Sequence, residues 1–447
     1  MNAIHKVNGV HKAALSALLA VALAGPLRAN PLDAFGLGSR AAAMGSAGTA
    51  LSGDSSAGYY NPGALASLSS LRLDLGYRTA QPLVRLDGQS ADLGSSTAFL
   101  FGLAAPGHVG PVKVAFGLSL SVPTVGLAGV TTRTFEEPKF VAYESRLQRF
   151  FGAFNGAVEL LPGLSLGGGF SFLSRTEGGA LIKGNVGVTN PAQSELTSRI
   201  DASLVAVRYP QAGLSWAPTE ALRLGLTFRG EFVLRLDTSL RIDGNLQDPG
   251  YAPLVKAGFF EVHTHVVEMF QPWQLALGGS YRVTSRLLLA ADLTFARWSN
   301  APAPQALTID LDVGVFNPLI HLVPPRVYPN PAYHDVLTPR LGMEYRAYDS
   351  GGISIDVRGG GSYEPTPVPE QRGDSNLADA DKLTGTFGVG LEGQQPWGLL
   401  AGSAGLDLHV AATWLLPRGN HKDDASQAGF FVSGAVWQAG ATARLKF

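Results

Sequence analysis

The sequence predicts an all-β fold, a transmembrane antiparallel β-barrel of about 14 strands with a plug inside its lumen. Two observations carry this. Apolar and polar residues alternate with period two over stretches of about 9 to 12 residues, the length that a tilted strand needs to cross hydrocarbon. The N-terminus also has the layout of a secretory signal peptide, and no later apolar run is long enough for a membrane helix.

The N-terminal reading rests on Lys6, His11 and Lys12, followed by an apolar run from Ala13 to Ala24 and small residues. Residues 1–29 are expected to be a signal peptide cut after Ala24 or Ala29. Composition agrees with export into a membrane: 45% hydrophobic residues and 55 glycines accompany only 15% charged residues. A formal net charge of -1 offers no basic face for nucleic acid. With no cysteine, disulfides, thiolate metal sites and cysteine nucleophiles are excluded.

Residues 71–447 carry the barrel signal. Leu222, Leu224, Leu226 and Phe228 alternate with Arg223, Gly225, Thr227 and Arg229. Leu341, Met343 and Tyr345 alternate with Arg340, Gly342, Glu344 and Arg346, and Ile353, Ile355 and Val357 with Ser354, Asp356 and Arg358. One face of each strand is therefore apolar and the other charged. Tight turns fall near Pro106 to Pro111, Pro162 to Gly163, Pro218 to Thr219, Thr284 to Ser285, Asp349 to Gly351 and Gln394 to Gly398. With an opening strand from Leu71 and a closing strand ending at Phe447, these turns give an even strand count, as bacterial barrels of this class have. Longer connections are expected outside the cell, at Pro123 to Gln148, Thr176 to Ala202, Asp243 to Phe270, Ser299 to Val336, Glu364 to Lys382 and Arg418 to Ala428. The fourth carries an apolar cluster that includes Phe316, Leu319 and Ile320, which makes these three the ligand-loop candidates.

Residues 30–70 differ in character. They are rich in Gly, Ala and Ser, without long alternation, and irregular backbone of this kind is tolerated at membrane depth only where protein or water surrounds it. Phe35-Gly36-Leu37-Gly38-Ser39-Arg40 leads to Gly53-Asp54-Ser55-Ser56 and then to Tyr59-Tyr60-Asn61-Pro62-Gly63. Asn61 before Pro62 suits an N-cap and the first position of a helical turn.

This order of motifs resembles the N-terminal hatch of the outer-membrane long-chain fatty-acid and hydrocarbon transporter (FadL-like) family. The likeness is most specific over Phe35 to Thr79 and looser over the remaining barrel and its terminal Phe447. The family's Asn-Pro-Ala triplet stands here as Asn61-Pro62-Gly63, so its third position departs. The resemblance implies hatch or gate roles for Phe35, Gly36, Gly38, Asp54, Asn61, Pro62 and Gly63. It also implies capture of ligand by external loops, an apolar pocket in the upper barrel, hatch rearrangement, and lateral exit at a kink in the third strand, with Gly117 as the kink candidate.

The implied function is passive uptake of hydrophobic compounds such as long-chain fatty acids in the bacterial outer membrane, without enzymatic chemistry, catalytic residues, metal or cofactor. The implied partners are a hydrophobic small-molecule ligand, outer-membrane lipid and lipopolysaccharide, and the barrel-assembly machinery, with the chain a monomer. A general hydrophilic porin and a scaffold barrel of a secretion system are the alternatives. Three other motifs are weaker. Gly388, Gly390 and Gly393 match a dinucleotide fingerprint but lead into a turn, not the helix it requires. Glu261, His263 and His265 share one face of an extended segment, as polar lumen residues also do. Asp54 with Ser55 and Ser56 has no histidine nearby in the motif.

Overall fold

A computed structural model describes residues 31–125, 138–140, 143, 149–187, 195–247, 255–302, 305–312, 330–372, 375–395, 402–422 and 429–447. The signal-peptide reading and the ligand-loop candidates Phe316, Leu319 and Ile320 lie outside the described residues.

The chain forms a closed antiparallel barrel of 14 strands with one extra strand. The wall strands are β1 (Arg72–Leu86), β2 (Ser96–Val109), β3 (Val112–Pro123), β4 (Phe151–Leu161), β5 (Leu164–Gly187) and β6 (Glu195–Trp216). Strands β7 and β8 each come in two runs, Leu222–Arg229 with Phe232–Gln247, and Val255–Gln271 with Gln274–Arg282. They are followed by β9 (Leu287–Ala296), β10 (Val336–Ser350), β11 (Ile353–Glu364), β12 (Lys382–Gln394), β13 (Ser403–Asn420) and β14 (Phe430–Lys446). Closure is made by β14 and β1, in register from Arg72–Lys446 to Leu86–Val432. A closed ring satisfies every backbone group without an edge, the condition for a sheet to sit in hydrocarbon.

Alternation decides which face is which. Leu75, Leu277, Leu341, Phe387 and Trp437 are exposed, whereas Asp74, Gly278, Arg358, Gly388 and Gln438 are buried on the intervening positions. Apolar side chains on the outside of a closed ring make a lipid-facing belt. The terminal run keeps Trp437, Ala443 and Phe447 outward.

The predicted turns at Pro162–Gly163, Thr284–Ser285 and Gly351 all fall between wall strands. Two of the external connections differ from expectation. Most of Thr176 to Ala202 and of Asp243 to Phe270 is strand, because β5, β6, β7 and β8 run on as long hairpins. Their Asn, Asp and Gly content suggested loops, but cross-strand pairing outweighed local preference. The extra strand, Gln305–Asp312, lies inside the expected loop Ser299 to Val336 and pairs with β8. The glycines of the dinucleotide-like motif belong to β12, and Glu261 and His263 belong to β8, where His263 Nε2 lies 3.0 Å from Glu261 Oε1.

Candidate functional site

The described part of the N-terminal segment consists of short helices joined by turns: α1 (Pro31–Phe35), α2 (Ser39–Ala43), α3 (Ala57–Tyr60) and a 3-10 helix (Pro62–Ser67). It is almost wholly buried, although it contains Ser, Thr, Asp and Asn. Helix α2 packs on β11, β12, β13 and β14, while the 3-10 helix packs on β2 through β6. Contacts from opposite arcs of a closed ring place the segment inside the ring.

Its polar groups find barrel partners one by one. Asp292 of β9 accepts from Thr49 N at 2.8 Å, and Ser280 of β8 donates to Ala50 O at 3.0 Å. Asn155 of β4 and Gln211 of β6 both donate to Gly58 O, at 2.8 and 2.9 Å. Asn61 is fully buried. Its Nδ2 donates to Thr49 O at 2.8 Å and Leu214 O at 2.9 Å, while its Oδ1 accepts from Gly63 N at 3.0 Å. One side chain thus caps the 3-10 helix, ties two parts of the plug together and reaches the β6 backbone. Pro62 opens that helix, where its missing N–H is not needed.

The departure at Gly63 has a steric reason. A Cβ there would lie 2.6 Å from Gly213 O of β6, so the helix can rest on the wall only without one. Gly117 of β3 serves a similar close approach, since a Cβ would lie 2.6 Å from Cδ1 of Leu65 on the 3-10 helix. The ladders from β3 to β2 and to β4 pass through Gly117 without a register shift.

Gly36 and Gly38 take left-handed backbone conformations, φ 72° and 77°, turning the chain between α1 and α2. Phe35 lies under the Arg78 guanidinium at 4.8 Å, and its carbonyl accepts from Gln438 Nε2 at 2.8 Å. Asp54 accepts from Ser56 N at 3.0 Å and from Ser56 Oγ, and pairs with Arg40 at 3.4 Å. Burial alone would push the Asp54 carboxyl up; Arg40 and the Ser56 donors outweigh it and hold the group below its usual range. Burial first, then the neighbouring Asp33 carboxylate, raises the Tyr59 hydroxyl well above its ordinary value.

Arg40 is the hub that the motif reading passed over. It grips Glu344 of β10, and Glu344 also accepts from Arg358 of β11 at 2.7 Å. Arg358 in turn donates to Asp407 of β13 at 2.6 Å. At the other side, Arg229 of β7 lies over the Tyr59 ring at 4.3 Å, donates to Tyr59 O at 3.0 Å and pairs with Asp33 at 3.5 Å. Lumen charges of both signs therefore neutralise one another rather than forming a lining of one sign. No sequence signal joins Arg40 to a residue 304 positions away.

Above the plug lies a cavity of about 110 Å³, bounded by Phe35, Tyr60, Thr294, Trp298, Arg340 and Lys382 among others. It is smaller than the roughly 300–1,000 Å³ typical of ligand sites. Its lining is mixed, with Phe35, Tyr60, Trp298 and Val336 beside polar groups. Thr294, Thr338, Thr384 and Thr413 project from the wall, as residues on the wet face of a barrel do. Trp298 and Val336 of this lining also belong to a buried apolar cluster with Phe270, Tyr333, Val368 and Leu377, in which Trp298 is edge-on to Phe270 and Tyr333.

A closed antiparallel barrel with an apolar exterior defines an outer-membrane barrel, and residues 31–68 lie within its ring. Residues 15–404 match the family described as outer membrane protein transport protein (OMPP1/FadL/TodX), and the chain belongs to that family. It is an outer-membrane protein. Solved structures share the fold. A FadL homologue from Pseudomonas aeruginosa is 16% identical, with a TM-score of 0.54 over 95% of this chain and 98% of that one. The toluene transporter TodX from Pseudomonas putida is 15% identical, with a TM-score of 0.55 over 95% and 100%. The CymD monoaromatic hydrocarbon channel is 16% identical, with a TM-score of 0.54 over 94% and 99%. Among curated proteins none matches the sequence.

Proposed function

We propose that this protein is a channel for passive uptake of hydrophobic compounds, with residues 30–70 acting as a hatch that rearranges to let ligand through. The observation that carries this is the tethering of the plug, whose side chains and turns are held to the wall by discrete ion pairs and hydrogen bonds. Discrete tethers can be exchanged during passage, whereas a hydrophilic porin needs an open water column that the segment here occupies. Family membership supports the same reading.

The driving force is partition. An apolar ligand gains roughly 0.8 kcal/mol per CH2 taken out of water, and a barrel offers it a route past the polar outer leaflet. No bond is made or broken, so neither catalytic group nor cofactor is required. Arg340 at the cavity favours ligands that carry a carboxylate at one end, as long-chain fatty acids do, whereas Lys382 beside it is paired with Glu364 and Asp379. Phe35, Gly36, Gly38, Asp54, Asn61, Pro62 and Gly63 are the hatch residues. The chain works as a monomer among outer-membrane lipid and lipopolysaccharide, delivered there by the barrel-assembly machinery.

The test is uptake of labelled long-chain fatty acid and of toluene by bacteria lacking their own transporter. The cells express either the intact protein or a version deleted from Asn30 to Ser70. Uptake by the intact protein, with little ionic conductance in planar bilayers, is expected. A large steady conductance from the intact protein would replace this reading with the porin.

A further inference from the structure

At the short-turn end, which faces the periplasm in barrels of this class, a second cavity of about 90 Å³ lies between plug and wall. Arg40 and Leu51 of the plug bound it on one side. On the other stand Arg223 of β7, Arg282 of β8, Leu288 of β9 and Glu220 of the turn between β6 and β7. It shares no lining residue with the cavity above the plug.

Register brings Arg223 and Arg282 together. Arg223 pairs with Ser280, whose hydroxyl points inward to Ala50 O at 3.0 Å, and Arg282 follows Ser280 by two residues on the same face. Residues so placed, diagonally across neighbouring strands, are roughly 7–8 Å apart, within reach of each other for long side chains.

Two like charges in that relation repel. Elsewhere in the lumen such charge is neutralised: Arg358 meets Glu344 and Asp407, Arg346 meets Asp356, and Arg444 meets Asp407. Among the described residues neither Arg223 nor Arg282 has a carboxylate partner, and Glu220 stands exposed on its turn outside any ion pair. Arg40 is already engaged by Glu344 and Asp54. The cavity therefore keeps a positive excess. Leu51 and Leu288 flank it with apolar surface, beside which a contact between opposite charges is stronger than in water.

The number of donors selects the anion. A carboxylate has two oxygens, enough for one guanidinium fork, whereas a phosphoryl group offers three acceptor oxygens and can hold two forks at once. A water needs only about 10–15 Å³, so the space admits a group of that size with part of its hydration.

We infer that Arg223 and Arg282 form a periplasm-facing site for a phosphoryl group, whose occupancy braces the seated plug. Part of the cavity belongs to the plug, so the site is complete only while the plug is in place, and a ligand that binds that state alone stabilises it. The binding stands whether or not the barrel transports; only the bearing of the brace on transport rests on the uptake reading above.

Inorganic phosphate is titrated into the unaltered barrel, into R223Q/R282Q, and into R286Q, which changes an exposed arginine of the next turn outside the cavity. The readouts are calorimetric affinity and unfolding temperature. Saturable binding by the unaltered protein and R286Q, weakened roughly tenfold or more in R223Q/R282Q, is expected. The same proteins in nanodiscs with and without phosphatidylglycerol separate the sources. A rise in unfolding temperature that needs both arginines and phosphatidylglycerol, without binding of inorganic phosphate, assigns the phosphoryl group to lipid. No effect of either source, or an effect undiminished in R223Q/R282Q, overturns the site. If the double variant does not insert, R282Q alone is judged by the same outcomes. Hydrogen exchange of residues 40–52 should slow when the site is filled, and unchanged exchange at saturation overturns the brace.

Discussion

Arg40 of the plug and Glu344 of β10 face each other with two parallel hydrogen bonds, Nε to Oε2 at 2.8 Å and Nη2 to Oε1 at 2.9 Å. Guanidinium and carboxylate meet as a fork, the geometry that makes such pairs both strong and directional. Because Glu344 also holds Arg358, the plug joins a charge chain that runs along the wall to Asp407.

Arg40→Ala leaves Glu344 with Arg358 alone and Asp54 without its cation. Breaking a buried pair from one side costs about 3–5 kcal/mol. We expect a lowered denaturant midpoint and raised ionic conductance in planar bilayers as the plug loosens. Conductance equal to that of the unaltered protein would show that Arg40 does not hold the plug shut.

Asn61→Ala removes the partner of Thr49 O, Leu214 O and Gly63 N together. Each buried group left unpaired costs about 1–3 kcal/mol. Asn61→Asp, which keeps an acceptor for Gly63 N but sets a second carboxylate oxygen against the Thr49 and Leu214 carbonyls, is expected to destabilise at least as much. Equilibrium unfolding in urea compares the three proteins.

Gly63→Ala would restore the family triplet and is nevertheless expected to destabilise. The added Cβ meets Gly213 O of β6, and overpacking of this kind costs about 1–3 kcal/mol. An unchanged unfolding midpoint would mean that the 3-10 helix can shift off β6 without penalty.

Acid should loosen the plug through Asp54. Its carboxyl is held below the ordinary 3.8 when folded, so the charged form stabilises the folded state at and above that pH. The contribution is lost as pH falls below 3.8 through the lower folded value. Ionic conductance recorded from pH 7 down to about 3 should rise at the acid end. In Asp54→Asn that step should be absent, and a step of the same size in the variant would assign it to another group.

Arg340→Gln tests the chemistry of the cavity. Arg340 donates to Thr294 Oγ1 at 2.9 Å while lining the space above the plug. A charge-assisted hydrogen bond contributes about 1.5–3 kcal/mol, so binding of a fatty acid should weaken by roughly tenfold or more. Binding of toluene should not change. Equal weakening of both ligands in a calorimetric titration would remove the carboxylate from the proposal.

By itself the sequence determined the barrel. Period two sorts Leu341, Met343 and Tyr345 from Arg340, Glu344 and Arg346 whatever the rest of the chain does, because successive side chains on a strand must point to opposite faces. The strand count followed from tight turns such as Pro162–Gly163, whose residue types fix local backbone. Residues 30–70 were legible as an irregular stretch ahead of the first strand, and Asn61-Pro62 as a helix start.

Only the tertiary structure decided what each motif residue does. Arg40 meets Glu344, and Gly63 meets Gly213, across separations that no local pattern encodes. Ring closure fixes which inward residues lie opposite one another, so those pairings depend on the register of all 14 strands together.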